Sequence, residues 1–345
     1  MSNITGIFFH KNTLLHKVET DSAENPQRIS WFEEYQKTLF RDRYRFFEPY
    51  EIDEYFILRV HSRPYLDQIH KYMYAENPYC YDRDTYLMPQ SLESALCAAS
   101  GSLALVEGLM WEECNNAFSL IRPPGHHAET GRGMGFCIFN NAALCAKHLI
   151  EHHRLNKILI LDLDAHHGNG TQDIFYESNQ VLYCSIHQKN IFPFTGSVTE
   201  VGNAVGIGYN VNIPVYAGYG DSEYTYIMGK VIQNIFEQFL PQFVIISMGF
   251  DGHENDSISE LKLTTSGYQG IISILKSFGK KYGPIPMLYI LEGGYNLLSL
   301  RECIISSLDT LSSSETEMEG FGFSPRAEKF LEDEVRPEIS RYWSI

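Results

Sequence analysis

Two carboxylates and two imidazoles follow one short apolar stretch of this chain, and side chains of these types bind metal ions. Residues 157–161 read Lys-Ile-Leu-Ile-Leu, a pattern typical of a strand buried in a parallel sheet. Residues 168–170, Gly-Asn-Gly, turn the chain and open a helix. Asp164 and His166 are two positions apart, so on an extended segment their side chains point to the same side. This spacing allows both to bind one metal ion, at the strand end where open α/β sheets place ligands.

An Asp-x-His pair taken alone is better explained as a hydrogen-bonded loop than as a metal site. Asp162 and His167 change that balance, because they add two further polar groups to the same strand end. Burying such groups without partners costs several kcal/mol for each of them. A bound cation would satisfy them, so the context favours a metal site.

A pair of adjacent histidines follows a second apolar segment. Residues 117–121 predict a short strand, and residues 122–125, Arg-Pro-Pro-Gly, predict a rigid loop that cannot be helical. His126 and His127 come next, and imidazole titrates nearest neutral pH, so both are candidate acid–base groups. The glycine-rich residues 131–137 favour a close approach of the backbone to a ligand.

Histidine pairs also arise by chance in a chain with 13 histidines. We interpret His152 and His153 as such a pair on the surface, because they follow a helical pattern and precede polar residues. The pair at 126–127 differs in its context, a buried strand before it and a glycine-rich loop after it.

Two further apolar segments end in polar residues. Residues 243–248 run into Asp251, which can supply a third metal ligand, and residues 287–291 run into a Gly-Gly turn that carries Tyr295. Each signal is weak alone, since strands often end in such loops. Three protein ligands with an open fourth position describe a catalytic metal site rather than a structural one.

The motifs together resemble the zinc-dependent histone deacetylase superfamily, which includes acetylpolyamine amidohydrolases and bacterial histone deacetylase-like amidohydrolases. The resemblance covers residues 25–296 in the family's order. It rests on Pro-Pro-Gly-His-His at 123–127, Gly-Phe-Cys at 135–137, residues 162–171, Gly249-x-Asp251 and Glu-Gly-Gly-Tyr-Asn at 292–296. Asn169 and Glu292 are similar to the class II and bacterial branch.

The resemblance implies a role for each motif residue. Asp164, His166 and Asp251 would bind one catalytic zinc ion. The tandem pair would be His126 and His127, with His127 as general base and then general acid, and with Asp162 and Asn169 as the partners of the two rings. Tyr295 would polarise the scissile carbonyl with zinc.

The resemblance also implies a substrate tunnel and two monovalent-cation sites. Phe136 and Phe192 would be aromatic walls, the carbonyl of Gly135 would accept the substrate amide N–H, and Arg28 would lie behind the metal where acetate collects. Potassium or sodium would bind at two groups of residues, which are Asp162, Asp164, His166, Ser185 and Ile186 for one and Phe175, Ser178, Val181 and Tyr209 for the other.

Two segments depart from the family's pattern. Phe194 stands where glycine is common, and residues 252–263 lack the usual proline and glycines. Both are expected at the rim of the active site, where they leave the zinc chemistry unaffected and bear on substrate preference.

Three functions therefore remain open. The first is a zinc-dependent deacetylase that removes acetyl or acyl groups from lysine in proteins or peptides; the short segment 61–89, with no insertion to narrow the tunnel, favours it. The second is a hydrolase of acetylated polyamines or other small acyl amides. The third is a non-catalytic acyl- or metal-binding module, against which the complete residue set argues. A two-metal, arginase-like hydrolase would need more carboxylates.

Composition narrows the class of protein further. The chain has 345 residues, 44% of them hydrophobic, and strands that alternate with helices predict an α/β arginase/deacetylase-like fold of three layers, with a mostly parallel sheet and helices on both faces. We expect one catalytic domain over residues 1–345, with a C-terminal helical segment at 315–345 packed on it.

Charge and cysteine content indicate the partners and the compartment. The net charge of −16 argues against direct nucleic-acid binding, and it suits either a cationic substrate or simple solubility. Seven cysteines without paired spacing indicate a reducing compartment. With no signal peptide and no apolar run of about 18 residues, we expect a cytoplasmic protein that does not enter a membrane. The sequence leaves the oligomeric state open.

Overall fold

A computed structural model describes residues 3–17, 22–73, 78–314 and 321–345 of the chain. Within them, eight strands form one sheet in which every pairing is parallel, and two short strands form a separate antiparallel hairpin. The strands are β1 (Thr5–Phe8), β2 (Tyr44–Phe47), β3 (Tyr79–Cys80), β4 (Tyr86–Leu87), β5 (Asn116–Ser119), β6 (Ile158–Asp162), β7 (Val181–Gln188), β8 (Asn210–Val215), β9 (Phe243–Met248) and β10 (Met287–Leu291). The order in the large sheet is β2-β1-β5-β10-β9-β6-β7-β8.

Helices cover both faces of this sheet, as the sequence predicts. They are α1 (Gln27–Ser30), α2 (Phe32–Tyr35), α3 (Glu54–Ile57), α4 (Arg63–Tyr72), α5 (Ser91–Met110), α6 (Asn141–His152), α7 (Asn169–Phe175), α8 (Asp221–Ile227), α9 (Gln233–Phe239), α10 (Thr265–Tyr282), α11 (Leu297–Ser312), α12 (Pro325–Phe330) and α13 (Arg336–Ile339). One π-helical turn joins α8 to α9, and another joins α12 to α13. Short 3-10 helices lie at Lys11–Leu14, Gln36–Thr38 and Ala204–Gly206.

The sheet divides the core into two halves because successive side chains of a strand point to opposite faces. On β6, Leu159 and Leu161 belong to the half that contains α8 to α13, whereas Ile158 and Ile160 belong to the half that contains α4, α5 and α6. All four residues are fully buried. Burial on both faces explains why the predicted strands read as continuous apolar runs rather than as alternating ones.

Helix α5 is the most apolar of the long helices. By length and composition alone it could cross a membrane, a property that the sequence prediction of no membrane-length stretch does not anticipate. Within the fold, 83% of its most apolar window is buried, which is typical of a core helix. Its small residues allow close packing, since a Cβ at Gly101 would lie about 2.0 Å from the Phe8 ring.

The C-terminal residues pack on the same core. Phe330, Leu331, Val335 and Ile339 are buried in the half that contains α8 and α10. Residues 315–320 of the predicted segment 315–345 lie outside the described residues.

Candidate active site

Four strand ends form the site. Because β5, β10, β9 and β6 are parallel neighbours, the loops that leave their carboxyl ends meet at one edge of the sheet. A cavity of about 470 Å³ opens there. Its lining includes His126, His127, Gly135, Phe136, Asp164, His166, Phe192, Ile258 and Tyr295, with Arg83, Asp84 and Tyr86.

Asp164, His166 and Asp251 form a buried cluster at this edge. One ligand atom from each lies within 4.8 Å of the others. His166 Nδ1 lies 3.2 Å from Asp164 Oδ1 and 2.8 Å from Asp251 Oδ2. The remaining carboxylate oxygens accept backbone N–H groups, at 2.8 Å from Gly293 to Asp164 and at 2.9 Å from Ala165 to Asp251. The three predicted ligands are thus together, with their orientation fixed by neighbouring backbone.

The electrostatics of this cluster fit a divalent cation. Burial, and then the negative charge of Asp164, raise the pKa of Asp251. Burial lowers the pKa of His166, but hydrogen bonds to Asp164 and Asp251 outweigh it and raise that pKa to about 10. Two carboxylates confined in a buried space therefore draw in a positive charge. A metal ion would supply that charge in place of the His166 proton, and one nitrogen with two carboxylate groups is a donor set that zinc accepts.

The two histidines beside the cluster have different ring partners. His126 Nδ1 donates to Asp162 Oδ2 at 3.1 Å, and His127 Nδ1 donates to Asn169 Oδ1 at 2.8 Å. Burial lowers the pKa of His126, but Asp164 and Asp162 outweigh it and raise that pKa to about 10. Burial, and then the positive charges of His126 and His166, hold the pKa of His127 well below its usual value. One ring of the pair is therefore charged and the other neutral.

Two residues to which the sequence assigned no role brace the histidine pair. The carboxylate of Glu292 accepts from the backbone N–H of Gly125 at 2.7 Å and of His126 at 3.2 Å. The phenol of Tyr183 donates to Asp162 Oδ2 at 3.0 Å. The signal for Glu292 is an acidic residue directly after an apolar strand; Tyr183 lies inside β7 and its sequence position gives no such signal.

The predicted tunnel residues lie around the cavity mouth. The Phe192 ring meets the His127 ring edge-on at 5.1 Å, and the Phe136 ring lies 5.5 Å from the Tyr295 ring. Gly135 has φ +54°, and a Cβ there would lie about 2.5 Å from His127 Cδ2. The close approach of this backbone to the histidine therefore requires glycine.

Tyr295 is held from two sides. Its backbone N–H donates to Asp256 Oδ2 at 2.6 Å, and its ring lies under the Arg28 guanidinium, 4.8 Å from Cζ to the ring centre. Burial holds the pKa of the phenol well above its usual value, so Tyr295 carries its proton at neutral pH.

Arg28 is buried, and each of its three guanidinium nitrogens donates to the protein. Nε reaches the carbonyl of Gly294 at 2.7 Å, Nη2 reaches the carbonyl of Glu292 at 2.5 Å, and Nη1 reaches Glu24 Oε1 at 3.1 Å. These contacts fix the turn that precedes Tyr295.

The contacts of residues 252–263 correct one expectation. The sequence predicts that this segment leaves the zinc chemistry unaffected, but Asp256 binds the Tyr295 backbone, and Ser259 Oγ donates to the carbonyl of Asp251 at 2.6 Å. The segment therefore supports both a candidate ligand and the candidate phenol. Phe194, the other departure, is 79% exposed, and its place at the rim stays a prediction.

Most residues of the two predicted monovalent-cation sites lie on β6 or β7 or close to these strands in the chain. Ser185 pairs with Asp162 across β6 and β7, and its hydroxyl contacts His187 Nδ1 at 2.8 Å. At the second site the carbonyl of Phe175 accepts from Ser178 N–H at 2.9 Å. The contacts of the described residues do not show whether a cation or only hydrogen bonds satisfy these atoms. Potassium or sodium binding therefore stays a prediction.

The comparisons with known proteins agree with this geometry. A family described as the histone deacetylase domain matches residues 22–311. A probable deacetylase of Archaeoglobus fulgidus is 36% identical over 297 residues, which are 85% of this chain and 82% of that protein. A histone deacetylase-like amidohydrolase of Pseudomonas aeruginosa is 31% identical over 258 residues, 74% of this chain and 67% of that protein.

The fold is similar as well. A crystal structure of the HDA15 HD domain superposes with a TM-score of 0.89 at 32% identity, and the match covers 99% of this chain and 95% of that one. The relatives also include histone deacetylase 14 of Arabidopsis thaliana, 35% identical over 270 residues, although the match spans only 63% of that longer protein. By domain match, relatives and fold, this chain belongs to the histone deacetylase family of hydrolases.

Proposed function

We propose that the chain is a zinc-dependent amidohydrolase that removes acetyl or acyl groups from lysine side chains of proteins or peptides. We further propose that it works in the cytoplasm as one catalytic domain over residues 1–345. The observation that carries the proposal is the buried cluster of Asp164, His166 and Asp251 next to a neutral histidine, His127, at the end of an aromatic-walled cavity.

Asp164, His166 and Asp251 would hold the zinc ion. When bound, zinc activates water and polarises the amide carbonyl. The protein's own residues must then position the substrate and move protons.

His127 is the residue suited to accept a proton. Because Asn169 Oδ1 accepts from its Nδ1–H, the free lone pair of the ring is on Nε2. The Asn169 amide group in turn donates to Glu129 Oε1 at 3.0 Å, which agrees with this orientation of the asparagine. His127 would take a proton from water and later give one to the leaving amine. His126, which is charged, would favour the negative charge that develops on the carbonyl oxygen.

Tyr295 would donate its phenol proton in a hydrogen bond to that oxygen. A donor that is protonated at neutral pH and fixed by Asp256 and Arg28 needs no reorganisation when the charge develops.

The shape of the cavity supports an extended acyl-amine substrate. Phe136 and Phe192 present aromatic surface to an alkyl chain, and the mouth carries Asp84. The net charge of −16 also suits an acetylated polyamine, which is the alternative, while the lining itself carries both Asp84 and Arg83. A binding module without catalysis would not require the protonated phenol and the neutral histidine beside the metal ligands. We propose no direct contact with nucleic acid or membrane.

Turnover by the zinc-loaded protein of two matched panels tests the proposal, one of acyl-lysine peptides and one of acylated polyamines, each with several acyl lengths. Faster turnover of peptides is expected. Turnover confined to polyamines would assign the alternative, and a failure of both panels despite bound zinc would assign a binding module.

A further inference from the structure

Three metal-ligating side chains converge where α5 and α6 end, away from the cluster at Asp164. Glu107 lies near the end of α5, His148 lies in α6, and His153 follows α6 directly. Their ligand atoms lie within 4.8 Å of one another. The Nε2 atoms of His148 and His153 approach the same oxygen, Glu107 Oε1, at 2.6 and 2.8 Å.

The cluster is accessible and yet held in place. The side chains of Glu107, His148 and His153 are 19%, 12% and 16% exposed. Trp111 Nε1 donates to the second carboxylate oxygen of Glu107 at 2.9 Å, and the His148 ring packs edge-on against Phe56 at 6.2 Å. A small cation can therefore reach atoms that are already oriented.

The local charge favours a cation. A carboxylate near the C-terminal end of a helix faces the negative end of the helix dipole, and the last turn of α5 has no basic residue.

From this geometry we propose that Glu107, His148 and His153 form a second divalent-cation site, and that its occupant is Zn²⁺. Two imidazole nitrogens and one carboxylate form a donor set that favours zinc. Magnesium and calcium bind oxygen ligands instead. Three protein ligands leave a position for water, which suits a partly exposed site. The bound ion would clamp the end of α5 to the end of α6.

The same contacts can exist as a hydrogen-bonded network without metal. Arg59 Nη1 lies 3.3 Å from His148 Nδ1, which accepts from it, so Nε2 carries the proton that faces Glu107. Zinc bound at Nε2 would replace that proton. The neutral ring would then carry its proton on Nδ1, so Nδ1 would no longer accept a hydrogen bond from Arg59. The guanidinium also contacts Glu151 at 3.2 Å and His152 Nε2 at 2.6 Å, so it keeps partners when it loses His148. Arg59 therefore competes with zinc at this site.

Equilibrium dialysis of the chelator-treated full chain against buffered Zn²⁺, with bound metal counted by mass spectrometry, tests the proposal. Wild-type protein is expected to bind two equivalents. Glu107→Gln and His153→Ala should each lose the weaker one. Asp164→Ala should lose the tighter one and keep the other.

His152→Ala is the matched control. It removes an imidazole that stacks on His148 at 4.5 Å and contacts Arg59 but is not a proposed ligand, so this variant should keep both equivalents. Arg59→Gln should bind the weaker equivalent more tightly than wild type, because it removes the competing cation.

Two results would overturn the second site. They are a single equivalent in wild-type protein that Asp164→Ala abolishes, or two equivalents that persist in Glu107→Gln. Thermal unfolding separates misfolding from loss of the site: zinc should raise the Tm of Asp164→Ala, and it should leave the Tm of Asp164→Ala/Glu107→Gln unchanged. A Tm rise in both proteins would also contradict the proposal.

Discussion

Two of the pairs of adjacent histidines in this molecule, at 126–127 and 152–153, differ in their surroundings and therefore in their properties. His126 and His127 lie in the loop that follows β5 and are only 3% and 4% exposed. The His126 ring contacts Asp162, the last residue of β6, and the His127 ring contacts Asn169, the first residue of α7. His152 and His153 end α6 near the surface. His152 is exposed and contacts Arg59, and His153 contacts Glu107.

The difference between the pairs lies in what surrounds the rings rather than in residue type. Burial lowers the pKa of both rings in the first pair. The carboxylates of Asp164 and Asp162 outweigh burial at His126 and raise its pKa to about 10, whereas the positive charges of His126 and His166 add to burial and hold the pKa of His127 far below its usual value. Groups with pKa values forced apart are suited to acid–base chemistry. In the second pair only His153 contacts a carboxylate, that of Glu107, which it shares with His148, and this partly exposed cluster suits the binding of an ion.

The largest effect should come from removing the neutral ring of the first pair. His127→Ala should lower kcat by about 10²–10⁴-fold, the usual contribution of a positioned acid–base group. The matched variant His152→Ala, in the second pair, should stay within twofold of wild type. Steady-state kinetics on an acetyl-lysine peptide measures both, and equal losses in the two variants would remove the distinction between the pairs.

Tyr295→Phe should lower kcat by about 10²–10³-fold with little change in KM, because the phenol would act only when charge develops on the carbonyl oxygen. The control is the bound metal content, which should stay at the wild-type value. A loss of kcat below tenfold would exclude Tyr295 from that role, and a rise in KM alone would make it a binding group.

The fold and the centre of the site were predictable from sequence for a common physical reason. Apolar runs such as residues 243–248 and 287–291 coincide with β9 and β10, and a parallel sheet brings their following polar residues to one edge. The predicted ligands, histidine pair, phenol and aromatic walls all meet there.

Other parts of the site depend on contacts that spacing in the sequence does not encode. Glu292 and Tyr183 act through hydrogen bonds to residues far along the chain. Outside the active site, His153 contacts Glu107 of a different helix, a contact that the pattern of residues around His152 and His153 does not indicate. Asp256 was placed at the rim, although it binds the Tyr295 backbone.

Asp256→Ala tests the last of these contacts. It leaves the N–H groups of Tyr295 and Asn296 without their acceptor, which should lower stability by about 1–3 kcal/mol and displace the phenol. We expect kcat to fall by about tenfold, less than in Tyr295→Phe, since the hydroxyl itself remains. Glu254→Ala, an exposed neighbour, should change neither quantity. A wild-type kcat in Asp256→Ala would show that residues 252–263 do not position the Tyr295 phenol and act only at the rim.

The smallest effect should come from Glu107 in metal-free protein. Burial raises its pKa, but hydrogen bonds from His153 and His148 outweigh burial and lower that pKa below the ordinary value of 4.5. The folded state thus favours the charged carboxylate, so the stabilisation is present above pH 4.5 and is lost as the pH falls through the lower folded pKa. Glu107→Gln should therefore cost about 1 kcal/mol at neutral pH and progressively less in acid, as measured by denaturant unfolding in the presence of a chelator. A cost that does not change with pH would mean that the histidines do not sense this charge, and the electrostatic contrast between the two histidine pairs would then rest on the first pair alone.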